Sequence, residues 1–140
     1  MTTTDSPVPA VRAQTPIVSL LLVALGAGVG SLLRWWLGSA VGETGFPWAT
    51  MAINISGCFL LAAMPAVSAL RRWPSLLVLL GPGLLGGFTT VSTWALESRE
   101  LAADGNTAAA GSYVAATLLA CLGAAAAGRL VVRLAPGPVR

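Results

Sequence analysis

Charged residues divide the chain into four long apolar blocks. None falls between Ala13 and Leu33, between Thr44 and Leu70, between Trp73 and Leu96, or between Gly105 and Gly128. Each block reaches or exceeds the roughly 20 residues that an α-helix needs to cross a bilayer. Strands of a membrane barrel are half that length, and only helices and closed barrels satisfy their backbone groups in lipid. The pattern therefore predicts an all-α membrane protein with four transmembrane helices over about 17–41, 46–70, 75–101 and 106–132. These form one domain over 17–134. Residues 1–16 are polar and Pro-containing, and are expected to be disordered ahead of the membrane. A cleaved signal peptide does not fit, because only Arg12 precedes the first apolar run and no clear small-residue cleavage site follows it. Residues 135–140 are a tail too short to fold.

Several features break the monotony of the spans. Gly26 and Gly30 form a GxxxG pair suited to close helix contact. Trp35 and Trp36 beside Arg34 fit an interfacial belt at the end of the first span. In the second span Pro47 suits a first helical turn, Thr50 and Asn54 share one face, and Pro65 predicts a kink. The third span holds the least helix-like stretch, Gly81-Pro82-Gly83-Leu84-Leu85-Gly86-Gly87-Phe88-Thr89-Thr90-Val91-Ser92-Thr93-Trp94. Unwound backbone at that depth survives only inside protein or along a watery path, so a break over Gly86–Thr90 is a candidate ion or substrate site. A kinked span with a glycine packing face is the other reading. In the fourth span Tyr113, Thr117 and Cys121 fall at i, i+4 and i+8, on one helical face.

Composition narrows the chemistry. Mean hydropathy is +0.81, and charged residues make up 9% of the chain, outside the soluble globular range. There is no His and no Lys, and every carboxylate lies at or beyond a span end, so an enzyme is not expected. Cys58 and Cys121 sit inside apolar runs without a CxxC or any acidic cluster, and read as small buried side chains rather than metal ligands. A basic balance would suggest nucleic acid in a soluble protein; here the Arg residues flank spans and point to the membrane surface. Arg12, Arg71, Arg72, Arg129, Arg133 and Arg140 fall on one side, against Arg34 and Arg99 on the other. This bias predicts both termini in the cytoplasm. Neutral donors at depth on three spans suit a small anion, since hydroxyl and amide groups replace its water shell without trapping it. Back-bonding of Ser and Thr to helix carbonyls is the alternative. Carbonyls freed at the third-span break suit a cation.

Three segments carry a family resemblance. Gly86-Gly87-Phe88-Thr89-Thr90-Val91-Ser92-Thr93-Trp94-Ala95-Leu96-Glu97 resembles the GGxTTFSTFxxE signature of the CrcB/Fluc fluoride channels. Gly26 to Arg34 resembles that family's GxxxGxxxR pattern. Pro47 to Phe59 resembles its P-x-GT-x3-N-xx-G-x-F segment, with Ala49 where Gly is usual. The resemblance implies passive fluoride export across the cytoplasmic (inner) membrane by an antiparallel, dual-topology-type dimer with two pores. It also implies one structural Na+, not transported, held by the backbone carbonyls of Gly86 and Thr89. Asn54 would be the pore amide and Arg34 the vestibule arginine. Thr50 with Tyr113, Thr117 and Cys121 would form a polar track, and Ser92 and Thr93 the hydroxyl pair. The two pore phenylalanines correspond here to Val91 and Trp94. Family homodimers need balanced flanking charge, so the Arg bias suggests an oppositely oriented paralogue as partner. Two further readings are a small multidrug-type cation transporter, which needs a mid-membrane carboxylate, and a non-conducting partner subunit.

Overall fold

A computed structural model describes residues 15–42, 45–67, 70 and 72–135. Its elements are α1 (Pro16–Val41), α2 (Trp48–Ala63) with a 3-10 turn over Met64–Ala66, α3 (Pro74–Val78), a π-helical stretch over Leu79–Leu85, α4 (Gly86–Phe88), α5 (Val91–Ala103) and α6 (Thr107–Leu134). Among the described residues there is no strand. Together they make four spans long and apolar enough to cross a membrane: Pro16–Val41, Trp48–Ala66, Pro74–Ala103 and Thr107–Leu134. The chain is a multi-pass membrane protein. The expected N-terminal segment, the acidic turn at Glu43, Arg71 and the tail lie outside the described residues.

Local chemistry sets the ends. Pro16 and Pro74 occupy first turns, where a missing N–H is harmless. Gly42 (φ 72°) and Gly105 (φ 82°) take the positive φ that terminates α1 and α5. Pro65 shortens the second span, because α2 tightens into the 3-10 turn and stops at Ala66 rather than Leu70. The third span is irregular earlier than expected. Pro82 cannot donate to the helical ladder, and the backbone around it widens to π geometry over Leu79–Leu85.

Close backbone contact organises the bundle. A Cβ on Gly26 would strike the Leu79 carbonyl oxygen and stand 2.7 Å from the Leu84 nitrogen; one on Gly30 would strike the Leu84 carbonyl and stand 2.8 Å from the Phe88 nitrogen. The GxxxG face of α1 therefore lies directly on the π-helical stretch. α2 and α6 form a second seam and run in the same direction. Phe46, just before α2, meets the Tyr113 ring edge-on at 5.4 Å, and Gly128 packs at the other end against Phe59, Ala62 and Ala63. The buried core is small, built on Ile53, Leu85 and Phe88. Large side chains such as Leu20, Leu32 and Leu119 are 68–69% exposed, as expected where lipid rather than water surrounds the helices and small residues carry the packing.

Candidate functional site

The third span breaks at two residues. Thr89 (φ −78°, ψ 156°) and Thr90 (φ −149°, ψ 124°) are extended between α4 and α5. Gly86 is helical (φ −65°, ψ −37°), so the break is narrower than the Gly86–Thr90 stretch expected from glycine content. Asn54 closes it from α2. Its Oδ1 accepts from the Thr90 N–H at 2.8 Å, and its Nδ2 donates to the Thr90 carbonyl at 2.9 Å. The amide thus substitutes for a missing backbone partner, as buried backbone groups require.

The four carbonyls of Gly86 to Thr89 lose their helical donors in consequence. In an unbroken helix the Thr90 N–H would bond the Gly86 carbonyl, and the Thr93 N–H would bond that of Thr89. Here the first goes to Asn54, and the second goes to the Thr90 hydroxyl at 3.1 Å, which caps α5. The Thr90 hydroxyl also donates to Thr93 Oγ1 at 3.0 Å and lies 3.2 Å from Ser92 Oγ. Upstream, the Gly87 carbonyl accepts from Ser31 Oγ at 3.3 Å and Arg34 Nε at 3.4 Å. Arg34 is thereby tied to the residue after Gly86.

A cavity of about 760 Å³ reaches this break from one end of the bundle. Arg34, Gly38 and Ser39 line it on one side, Glu100 and Asp104 at the far helix end, and Thr50, Thr90, Thr93 and Glu97 at depth. Glu97 is the side chain whose engagement sequence reasoning missed. It read as a marker of the span's exit, yet Thr50 Oγ1 donates to its Oε1 and Tyr113 OH to its Oε2, each at 2.7 Å. Thr50 is buried and Tyr113 wholly so. The carboxyl group therefore ties α2, α5 and α6 together within the bundle. The signal that could have found it was the Glu closing the third-span signature.

The remaining expected site residues divide. Thr117, one turn beyond Tyr113, is buried and its Oγ1 has no hydrogen-bond partner; the same holds for the indole Nε1 of Trp94. Leaving such a donor unpaired costs on the order of 1–3 kcal/mol, so each asks for an explanation. Val91 is 75% exposed and Ser92 is also exposed, so neither is gathered into the cavity by this chain alone. The cavity, the Asn54 clamp and the Glu97 tie are what the fold itself assembles.

Known proteins resemble this chain in sequence. The profile described as "CrcB-like protein, Camphor Resistance (CrcB)" matches residues 21–129. The chain is 38% identical over 122 residues to a protein of Rhodospirillum centenum named fluoride-specific ion channel FluC, covering 83% of this chain and 96% of the relative. It is 42% identical over 124 residues to a protein of the same name from Anaeromyxobacter dehalogenans, covering 84% and 98%. A Nocardia farcinica protein named fluoride-specific ion channel FluC 2 is 39% identical over 128 residues, covering 86% and 89%. A profile match across most of the chain, joined to relatives that align nearly end to end, makes this four-span membrane protein a member of the CrcB family.

Proposed function

We propose that this chain is a subunit of a fluoride channel that lets the ion leave the cytoplasm down its electrochemical gradient. One observation carries the reading: a polar cavity ends at a mid-span break whose backbone is paired by Asn54. The names of the relatives supply the ion. Fluoride is small and strongly hydrated, and it enters a narrow path only where fixed donors replace its water. Arg34 at the cavity wall would attract it. Thr93 and the unpartnered Thr117 hydroxyl would offer donors, Thr50 and Tyr113 would do so on turning away from Glu97, and Ser92, Val91 and the Trp94 edge would be the wall toward a second subunit. Neutral groups would hold it weakly enough to leave. The protein acts as a conduit, not an enzyme.

The same break suits a structural sodium ion. Gly86 and Thr89 carry two of the carbonyls deprived of helical donors at the break, and hard cations prefer oxygen ligands. Two carbonyls from one subunit do not complete such a shell, so the ion would sit on the axis of an antiparallel dimer and fix it. Sodium would not travel with fluoride.

Efflux from proteoliposomes tests the proposal. Purified protein should release fluoride and not chloride when potassium permeability is supplied, and Asn54→Asp should cut the rate at least tenfold. Unchanged efflux in that variant, or no fluoride release under any pairing, overturns the reading.

A second form rests on Val91, which is 75% exposed where an aromatic is usual, together with the Arg bias. In this form the chain pairs with an oppositely oriented paralogue, and the Val91 wall belongs to the weaker pore. Robust efflux from the pure chain would sink it.

A further inference from the structure

The two cysteines meet across the α2–α6 seam. Two contacts bracket them: Tyr113, which donates to the same Glu97 carboxyl as Thr50, and Gly128, which packs on Phe59 and Ala62. Cys58 falls between these points on α2 and Cys121 between them on α6. Both are half-buried free thiols, and they stand as electrostatic neighbours across the seam. The pair adjoins the proposed path on both sides. Gly57, next to Cys58, packs on the Thr89 methyl at the break, and Cys121 is one turn beyond the unpartnered Thr117 on the face that includes Tyr113.

We propose that Cys58 and Cys121 form a two-thiolate site for a soft, two-coordinate metal ion, of which Hg(II) is the model, and that occupying it blocks the anion path. Thiolates are the preferred ligands of such ions. The step is ligand exchange without redox change. Two S–H bonds and two Hg–Cl bonds break, two Hg–S bonds form, and two protons and two chlorides enter solution. Cross-linking α2 to α6 beside Thr89 and Thr117 holds the seam rigid and sets a large soft cation against the donors meant for a small hard anion. No acidic or imidazole group crowds the pair: among the described residues, no group of three or more His, Cys, Asp or Glu side chains stands together.

The blocking half rests on the fluoride-channel reading, so the test has two arms. In the first, the full chain in detergent takes up mercuric chloride one equivalent at a time. Free thiols are then counted after denaturation, and released protons by pH-stat. One equivalent should protect both thiols and release two protons, while Cys58→Ser and Cys121→Ser should each hold the metal at least a hundredfold more weakly against a competing monothiol. Two equivalents per chain, or single variants that match the parent, overturn the site. In the second arm, one equivalent should slow fluoride efflux from liposomes at least tenfold. A dithiol chelator should restore the rate, and Cys58→Ser should resist the block. Full efflux with both thiols protected overturns the blocking half. Absence of any efflux before metal is added, from the pure chain and from the chain paired with an oppositely oriented paralogue, overturns the channel reading and leaves the thiol count to decide the site.

Discussion

Asn54 does at residue scale what no apolar side chain can do, supplying an acceptor and a donor to one peptide unit at the break. Asn54→Ala leaves the Thr90 N–H and carbonyl unpaired in a buried setting. At about 1–3 kcal/mol per stranded group, the variant should unfold well below the parent in a thermal scan in detergent. Asn54→Asp keeps the acceptor but turns an oxygen toward the Thr90 carbonyl, so it should also lose stability, by less. Equal melting of Asn54→Ala and parent would refute the clamp. Glu97 supports a second test. Thr50→Val and Tyr113→Phe each delete one hydrogen bond to a carboxyl group, for which about 1.5–3 kcal/mol is typical when the acceptor is charged. Because both reach Glu97, the double variant should be non-additive by roughly 0.5–3 kcal/mol; strict additivity in denaturant titrations would show that the two hydroxyls act separately. Asn54 was legible in the sequence as a polar group at depth. Its partner was not, since periodicity identifies a face and says nothing of which backbone group on another span needs an amide. Glu97 was misread for a related reason. A charge after an apolar block looks like the membrane boundary, and only the folded bundle reveals hydroxyls on two other helices aimed at it.

The third span behaves as an element in a way composition half foretold. Four spans, their order and the break were legible, because uncharged length and hydroxyl clusters report directly on lipid. The break's narrower bounds within Gly86–Thr90 were not: glycine permits unwinding without requiring it, and Gly86 and Gly87 stay helical. What ends the helix is the capture of the Thr90 and Thr93 amides by side chains, a tertiary event. A second irregularity appears around Pro82 as π geometry, and it meets α1 at Gly26 and Gly30. This contact leaves no room for a methyl group against rigid backbone. Gly30→Ala should therefore destabilise by roughly the 1–3 kcal/mol of an overpacked core or more, and Gly26→Ala similarly. Gly28→Ala, where nothing lies within 4 Å, should leave folding intact and serves as the control. Comparable yields and melting points for all three would show that α1 can shift off the π stretch, and that the GxxxG face does not set the packing.

At the scale of the whole molecule, flanking charge and the freed carbonyls bear on the same question, how two copies are arranged. Six Arg residues fall on one side of the four-span plan and two on the other, and orientation follows that difference in short loops. A single inserted orientation is therefore expected, testable by labelling introduced cysteines near Arg12 and near Asp104 in sealed cells, in a chain whose native pair is changed to serine. Reagent from outside should reach the second site and not the first. An antiparallel dimer of this chain alone then needs copies inserted both ways, which the bias disfavours. Replacing Arg71, Arg72 and Arg129 with neutral residues removes much of that bias and should yield labelling at both sites from one population. If the pure chain forms the channel, this variant should raise fluoride efflux per milligram, because oppositely oriented copies become available. If an oppositely oriented paralogue is the natural partner, it should lower efflux in cells that carry both. Sodium supplies the independent check on assembly. If an ion is held by Gly86 and Thr89 of two subunits, as proposed, it would stabilise only the dimer, by about 2.7 kcal/mol at a hundred times its dissociation constant. Exchanging sodium for a bulky organic cation should thus lower both the melting point and the dimer fraction, with larger loss at low protein concentration. A melting point indifferent to sodium in every orientation mixture would mean that the carbonyls freed at the break serve something other than a shared ion, and that side-chain packing alone joins the subunits.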